Sequence, residues 1–187
     1  MKSQLLNFGP HADHKVFRYL HILVALLILA QILNSNLTEV DALGKHSLTG
    51  IITWVHIISG FSLIFCGLFM LAWMLTQRGF RFYYSWLCLD FRAIRQDINT
   101  ILDCELPEAH AGGIAASVQG MGVITLLVVA ACGGAWFWLN SLQSPLAESI
   151  LLWHKFLTLF IEIYFYSHGA MGIIHLILNR RGSKSQA

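Results

Sequence analysis

The sequence has very little charge, and what charge it has is unevenly spread. Only 12% of its 187 residues are charged, whereas about a quarter are charged in a typical soluble domain. Three long stretches contain no Asp, Glu, Lys or Arg at all: residues 19–38, 46–77 and 109–147. Residues 149–179 contain only Lys155 and Glu162. This pattern argues against a soluble helical bundle and leaves no residues for a separate soluble domain.

Several chemical signatures are also missing. The chain has four cysteines but no C-x-x-C motif, which argues against a disulfide framework and against a cofactor held by cysteines. The formal net charge is only +2, so there is no case for nucleic-acid binding. No nucleotide-binding motif occurs, and direct oxidation of a nicotinamide is therefore unsupported.

The uncharged stretches are long enough to cross a membrane. A membrane-spanning helix needs about 20 mostly apolar residues, and four segments meet this length: residues 16–35, 48–76, 112–139 and 149–178. The sequence therefore predicts an all-α membrane protein, a four-transmembrane-helix up-and-down bundle. We expect residues 1–187 to form a single transmembrane domain.

The basic residues predict the orientation of this bundle. Lys and Arg are enriched in cytoplasmic flanks, and ten of the twelve fall in the two termini and the middle loop: Lys2, Lys15, Arg18, Arg78, Arg81, Arg92, Arg95, Arg180, Arg181 and Lys184. We expect both termini to face the cytoplasm, in a multi-pass protein of the bacterial inner membrane.

The middle loop carries an amphipathic pattern over residues 80–102. Its apolar residues recur at spacings of three and four: Leu87, Phe91, Ile94, Ile98 and Ile101. This period is typical of a helix with one apolar face. We expect a helix lying in the plane of the inner membrane interface. A docking face for a cytoplasmic partner is the alternative interpretation.

Four histidines lie inside the predicted spans, where polar rings are costly and usually mark function. His154 and His168 are fourteen residues apart, which places them on nearly one helix face and about 21 Å apart along the axis. By depth, His56 would meet His154 on the outer side and His21 would meet His168 on the inner side. A single histidine can simply bond to a neighbouring helix, but two pairs favour two stacked haems with paired imidazole ligands.

Three further histidines are candidates for a quinone or propionate site. His14 lies seven residues before His21, His175 lies seven after His168, and His110 precedes the third span. A rival assignment pairs His14 with His175, but that haem would lie at or beyond the headgroups. Glu162 lies in mid-span, either as part of a proton relay or as a neutral group bonded to a neighbouring helix.

Glycines are concentrated around these histidines and in the third span. They are Gly60, Gly67, Gly112, Gly113, Gly120, Gly122, Gly133, Gly134, Gly169 and Gly172. Small residues allow close contact between membrane helices, and they would also leave room for a wide, flat cofactor. The sequence alone leaves both explanations open for the third span.

The histidine segments carry a family resemblance over essentially the whole chain. With RYLHILVALL in the first span, WVHIISG in the second and WHKFLTLFIEIYFYSHGAMGIIH in the fourth, the chain resembles the prokaryotic cytochrome b561 family. That superfamily includes the membrane cytochrome b subunits of nickel–iron hydrogenases and formate dehydrogenase. The resemblance implies two b-type haems and exchange of electrons with quinone. It also implies that His21 and His168 ligate the inner haem, and His56 and His154 the outer one.

Three functions remain open at this point. The first is a di-haem electron-transfer subunit that links the quinone pool to a redox partner, either another subunit or a c-type cytochrome. The segment LPEAHAGGIAASVQGMG resembles the multi-subunit branch and favours this hypothesis. The second is a stand-alone superoxide:quinone oxidoreductase, with Lys155 as the only well-placed attractant. The third is a non-redox membrane protein that binds or transports Zn or Cu.

Overall fold

The computed structural model describes residues 15–105, 107 and 109–184, and no strand occurs in that part of the chain. Its α-helices, in chain order, are α1 (Lys15–Ser35), α2 (Leu48–Arg78), α3 (Phe80–Tyr84), α4 (Arg92–Leu102), α5 (Ile114–Ser141) and α6 (Leu146–Lys184). Two single 3₁₀ turns, Val40–Ala42 and Ser85–Cys88, lie in the connections. The all-helical prediction is confirmed for these residues.

The four long helices begin and end close to the predicted bounds. Helix α5 starts two residues later than expected, because Gly112 adopts a left-handed φ of 73° and Gly113 is extended. Helix α6 is longer than expected at both ends and continuous over 39 residues. Among the described residues, α1, α2 and α5 are long and apolar enough to cross a membrane.

Contacts between neighbouring helices show that the long helices alternate in direction. Early α1 meets late α2 through Phe17 and Trp73. Late α5 meets early α6 through Gly133 and His154, whereas Gly122, nearer the start of α5, meets Tyr164 further along α6. Gly67 of α2 lies against Leu127 of α5, midway along both helices. Helix α5 packs against both α2 and α6.

The surface of the bundle is apolar as well as its interior. The interior includes Val24, Leu63, Val123 and Leu126, all at most 5% exposed. Large apolar side chains also point outward from each long helix, for example Leu26, Phe65, Val128 and Leu159. An outer surface of this kind suits lipid, which is as apolar as these side chains.

The middle loop is helical over only part of the range predicted. The loop is not one continuous helix: the 3₁₀ turn Ser85–Cys88 and Leu89, which adopts a left-handed φ of 57°, separate α3 from α4. The Asp90 side chain then accepts a hydrogen bond from the Arg92 backbone N–H at 3.4 Å, where α4 begins. Asp97 is the buried residue of α4, whereas Ile98 and Ile101 are about half exposed.

Candidate functional site

His56 of α2 and His154 of α6 face each other at one end of the bundle. Their ring centres are 6.5 Å apart and the ring planes are nearly perpendicular, at 84°. His56 Nδ1 lies 2.7 Å from Asn34 Oδ1, and His154 Nδ1 lies 3.1 Å from the Val129 carbonyl oxygen. Because both partners are acceptors, each Nδ1 carries the proton and donates it. Each Nε2 is then the nitrogen with a lone pair for a metal.

His21 of α1 and His168 of α6 form a second pair further along the bundle. Their ring centres are 6.0 Å apart, with the planes at 59°. Tyr164, one turn earlier on α6, stacks on His168 with ring centres 5.1 Å apart and planes 10° from parallel. A side chain at Gly122 would overlap the Tyr164 ring, so this glycine makes room for the stack. The continuous helix α6 therefore contributes one histidine to each pair.

The spacing within each pair fits one iron between two rings. An imidazole nitrogen lies about 2 Å from a metal that it binds, so two imidazoles on opposite sides of one metal have ring centres about 6 Å apart. Among the described residues, no group of three or more His, Cys, Asp or Glu could hold a metal ion. Two protein ligands are too few for a structural zinc site, but they suffice for haem, whose macrocycle supplies the other donors.

A cavity of about 550 Å³ adjoins the His56–His154 pair. This volume is within the usual range for cofactor sites, about 300–1,000 Å³. Three glycines line it, together with the polar side chains of Gln31, Glu39, Lys155, Thr158 and Glu162. Glu162, a half-buried residue of α6, is thus one of the acidic residues that line this cavity.

The glycines of α5 allow close packing of side chains, which is one of the two explanations that the sequence left open. A Cβ at Gly133 would lie 2.9 Å from His154 Cε1, whereas one at Gly134 would lie 3.3 Å from Phe61. A Cβ at Gly120 would lie 2.7 Å from the Tyr84 ring. Gly133 thus leaves room for the His154 ring, while Gly120 and Gly134 allow close packing of aromatic rings.

The remaining candidate histidines do not join either pair in the described part of the chain. His110 lies before α5, with Nε2 3.5 Å from Asp97 Oδ1. The other carboxylate oxygen of Asp97 accepts a hydrogen bond from Ile114 N–H at 2.6 Å, so Asp97 joins α4 to the start of α5. His14 and the side chain of His175 lie outside the described residues, and their role at a quinone or propionate site stays a prediction.

Sequence reasoning missed several residues that support the pairs. Asn34 and Gln31 both contact His56, the latter by donating from Nε2 to the His56 carbonyl oxygen at 2.9 Å. Both are polar residues in an otherwise apolar span, and a spacing of three puts them on one helix face. Two polar residues on one face of an apolar span were therefore the signal in the sequence that could have identified them. Nothing in the sequence singled out Tyr164 as the stacking partner of His168.

One of the comparisons with known proteins gave a match. Residues 14–185 match the family described as prokaryotic cytochrome b561. No curated protein and no solved structure matched the chain. The family match covers nearly the whole sequence and includes all four paired histidines. The chain therefore belongs to the prokaryotic cytochrome b561 family, whose members are b-type cytochromes of membranes that bind haem and transfer electrons.

Proposed function

We propose that the protein is a di-haem cytochrome b that transfers electrons across the membrane between the quinone pool and a redox partner, as a subunit of a larger complex. One observation carries the proposal: two facing histidine pairs, with ring centres 6.0 and 6.5 Å apart, share the single helix α6. The two α6 histidines are about 21 Å apart along the axis, which is most of the hydrocarbon thickness of about 30 Å.

Each histidine pair would hold one haem b. His56 and His154 hold the outer haem, and His21 and His168 hold the inner one. Haem iron bound by two protein ligands supplies one-electron transfer without an open position for a substrate. Asn34 orients the ring of His56, and the Val129 carbonyl oxygen orients the ring of His154. Tyr164 packs against the ring of His168.

The topology completes the proposal. We place α1, α2, α5 and α6 across the bacterial inner membrane with both termini in the cytoplasm, in one domain over residues 1–187. Helix α6, with 39 residues, is about 58 Å long, so its C-terminal end extends beyond the hydrocarbon. Helix α4 lies at the inner interface, with its buried Asp97 towards α5 and its exposed apolar residues towards lipid.

The electrostatics of the outer cavity favour the subunit hypothesis over stand-alone superoxide oxidation. Lys155 lines this cavity, but so do Glu39 and Glu162. A cavity that attracts an anion needs an excess of positive charge, and these side chains do not provide one.

The experiment that tests the function is anaerobic reduction of the purified protein by a quinol, followed at the haem absorption bands. We expect the quinol to reduce haem, because the proposed path connects quinone to both irons. His21→Ala serves as the matched variant, since it removes one inner ligand and leaves the outer pair intact. A haem-containing wild-type protein that no quinol reduces, and whose oxidised form oxidises no quinol, would refute the link to quinone.

A further inference from the structure

A polar stripe on α6 runs along the outer cavity. Lys155, Thr158 and Glu162 all line this cavity, and their spacings of three and four place them on one face of the helix. Glu162 follows His154 by eight residues, which is about 12 Å along the axis. It precedes His168 by six residues, which is about 9 Å. The stripe therefore ends at a carboxyl group that lies between the levels of the two histidine pairs.

The outer cavity joins this carboxyl group to one end of the bundle. Glu39 and Val40, two exposed residues of the connection between α1 and α2, line the same cavity as Glu162. Within the described part of the chain, α1 and α5 contribute no ionisable side chain to its lining. The ionisable residues that line it are Glu39, His56, His154, Lys155 and Glu162. A proton from the outer solution therefore has a polar route to Glu162.

Gln31 of α1 brings a hydrogen-bond acceptor to the same cavity. Its Nε2 donates to the His56 carbonyl oxygen at 2.9 Å, whereas its buried Oε1 accepts no hydrogen bond from the described residues. A buried acceptor without a donor costs free energy. A protonated carboxyl group is such a donor, either directly or through one water. By helical rise from the inner histidine pair, Gln31 lies about 6 Å nearer the outer end than Glu162, a distance that one water bridges.

The charge at the outer histidine pair acts on this carboxyl group. Ferric haem between two neutral imidazoles carries one net positive charge, and reduction by one electron removes that charge. An ionised carboxylate in mid-membrane is costly, and no ion pair of Glu162 occurs among the described residues. One charge at about 12 Å, with an effective dielectric constant of about 20, changes the affinity of a carboxylate for a proton about tenfold. Reduction therefore favours the protonated form of Glu162.

We propose that Glu162 is a proton-binding site that takes up a proton from the outer solution when the outer haem is reduced. This inference rests on the function proposed above, in which quinol supplies the electrons. The quinol gives one electron to each of two haems and releases its own two protons to water. Separately, the Glu162 carboxylate takes one proton from water, so the charge of the membrane interior around the outer haem does not change. On oxidation, the electron passes to the redox partner and the proton returns to water.

The test is a redox titration of the outer haem at a series of pH values, on the purified haem-containing protein. We expect the midpoint potential of the wild type to fall as the pH rises, by about 59 mV in total, which is the equivalent of the tenfold change in proton affinity. Glu162→Gln should lose this dependence, and Glu162→Asp should keep it. Reduced-minus-oxidised infrared spectra should show a protonated carboxyl band that appears on reduction and is missing in Glu162→Gln.

Glu39→Gln is the matched control, because Glu39 is the other carboxyl residue that lines the cavity but is exposed at its end. It should keep both the pH dependence and the infrared band. A wild-type potential that does not change with pH, or an equal loss in Glu39→Gln and Glu162→Gln, would overturn the proposal. A band that persists in Glu162→Gln would assign the proton to another group and would also overturn it. Haem content and reduction by quinol, measured on each variant, separate these results from a failure of the proposed function.

Discussion

The hydrogen bond between Asn34 and His56 offers the sharpest test of how the outer site is built. Asn34→Leu keeps the size of the side chain but removes the oxygen that accepts from His56 Nδ1 at 2.7 Å. The ring is then free to rotate or to exchange its proton between the two nitrogens. We expect weaker haem binding at the outer site and no change at the inner one, where Asn34 has no described contact.

The size of the effect follows from the role of the bond. Loss of such a supporting partner lowers metal affinity about 10- to 100-fold, which corresponds to about 1.4 to 2.7 kcal/mol. Asn34→Asp should act differently, because it keeps an acceptor and adds a negative charge. That charge stabilises the oxidised, more positive iron, so the midpoint potential of the outer haem should fall by tens of millivolts, about 59 mV for each tenfold difference in affinity between the two oxidation states.

The assay is haem titration into protein produced under limiting haem, followed by a redox titration of each variant. Asn36→Leu is the control, since Asn36 also lines the outer cavity but is exposed. Wild-type haem affinity in Asn34→Leu, or equal losses from both sites, would refute the role given to this bond.

Three further perturbations test other parts of the account. Gly133→Ala brings a Cβ within 2.9 Å of the His154 ring, so it should lower outer haem content at least several-fold. Gly134→Ala, whose Cβ would lie 3.3 Å from Phe61 and 3.6 Å from Ile64, should retain both haems. Equal content in the two variants would contradict this reasoning. Asp97→Ala removes the acceptor of the half-buried Ile114 N–H, a loss of about 1–3 kcal/mol, and should lower the melting temperature by several degrees. An unchanged value would mean that Asp97 does not hold α4 in place. Asp90 has its pKa lowered from 3.8 to about 2 chiefly by hydrogen bonds from Arg92, so its stabilising contribution is present above about pH 4 and is lost as the pH falls through about 2. Infrared titration of labelled Asp should find this carboxylate ionised at pH 3 in the wild type, and an unchanged pKa in Arg92→Gln would contradict the cause.

Much of the fold could be predicted from hydropathy alone. Long apolar stretches must form helices in lipid, so the four long helices were predictable to within a few residues, except for the ends of α6. The break between α3 and α4 was not predictable in this way. The apolar spacing continues past Leu89, whereas the left-handed backbone of Leu89 depends on the local turn. Periodicity records which residues are apolar and carries no information about such a turn.

The site was predictable in its main residues and not in its supporting ones. Depth within the spans indicated which histidines meet, and the structure brings His21 to His168 and His56 to His154. The partners of the His56 and His154 Nδ1 atoms depend on how α1 and α5 rotate against their neighbours. One of them is the Val129 main-chain carbonyl oxygen, which has no signature in the sequence. The contact between Asp97 and Ile114 likewise depends on where the middle loop folds back.

The measurement that tests the central claim most directly is the count of b haems per chain, by pyridine haemochrome, in the wild type and in alanine variants of the paired histidines. The account predicts two haems in the wild type. His56→Ala and His154→Ala should each lose one haem with the same midpoint potential, and the two changes together should lose no more than that haem. His154→Ala combined with His168→Ala should lose both. A single haem in the wild type, or loss of different haems from the two members of one pair, would contradict the paired-ligand account.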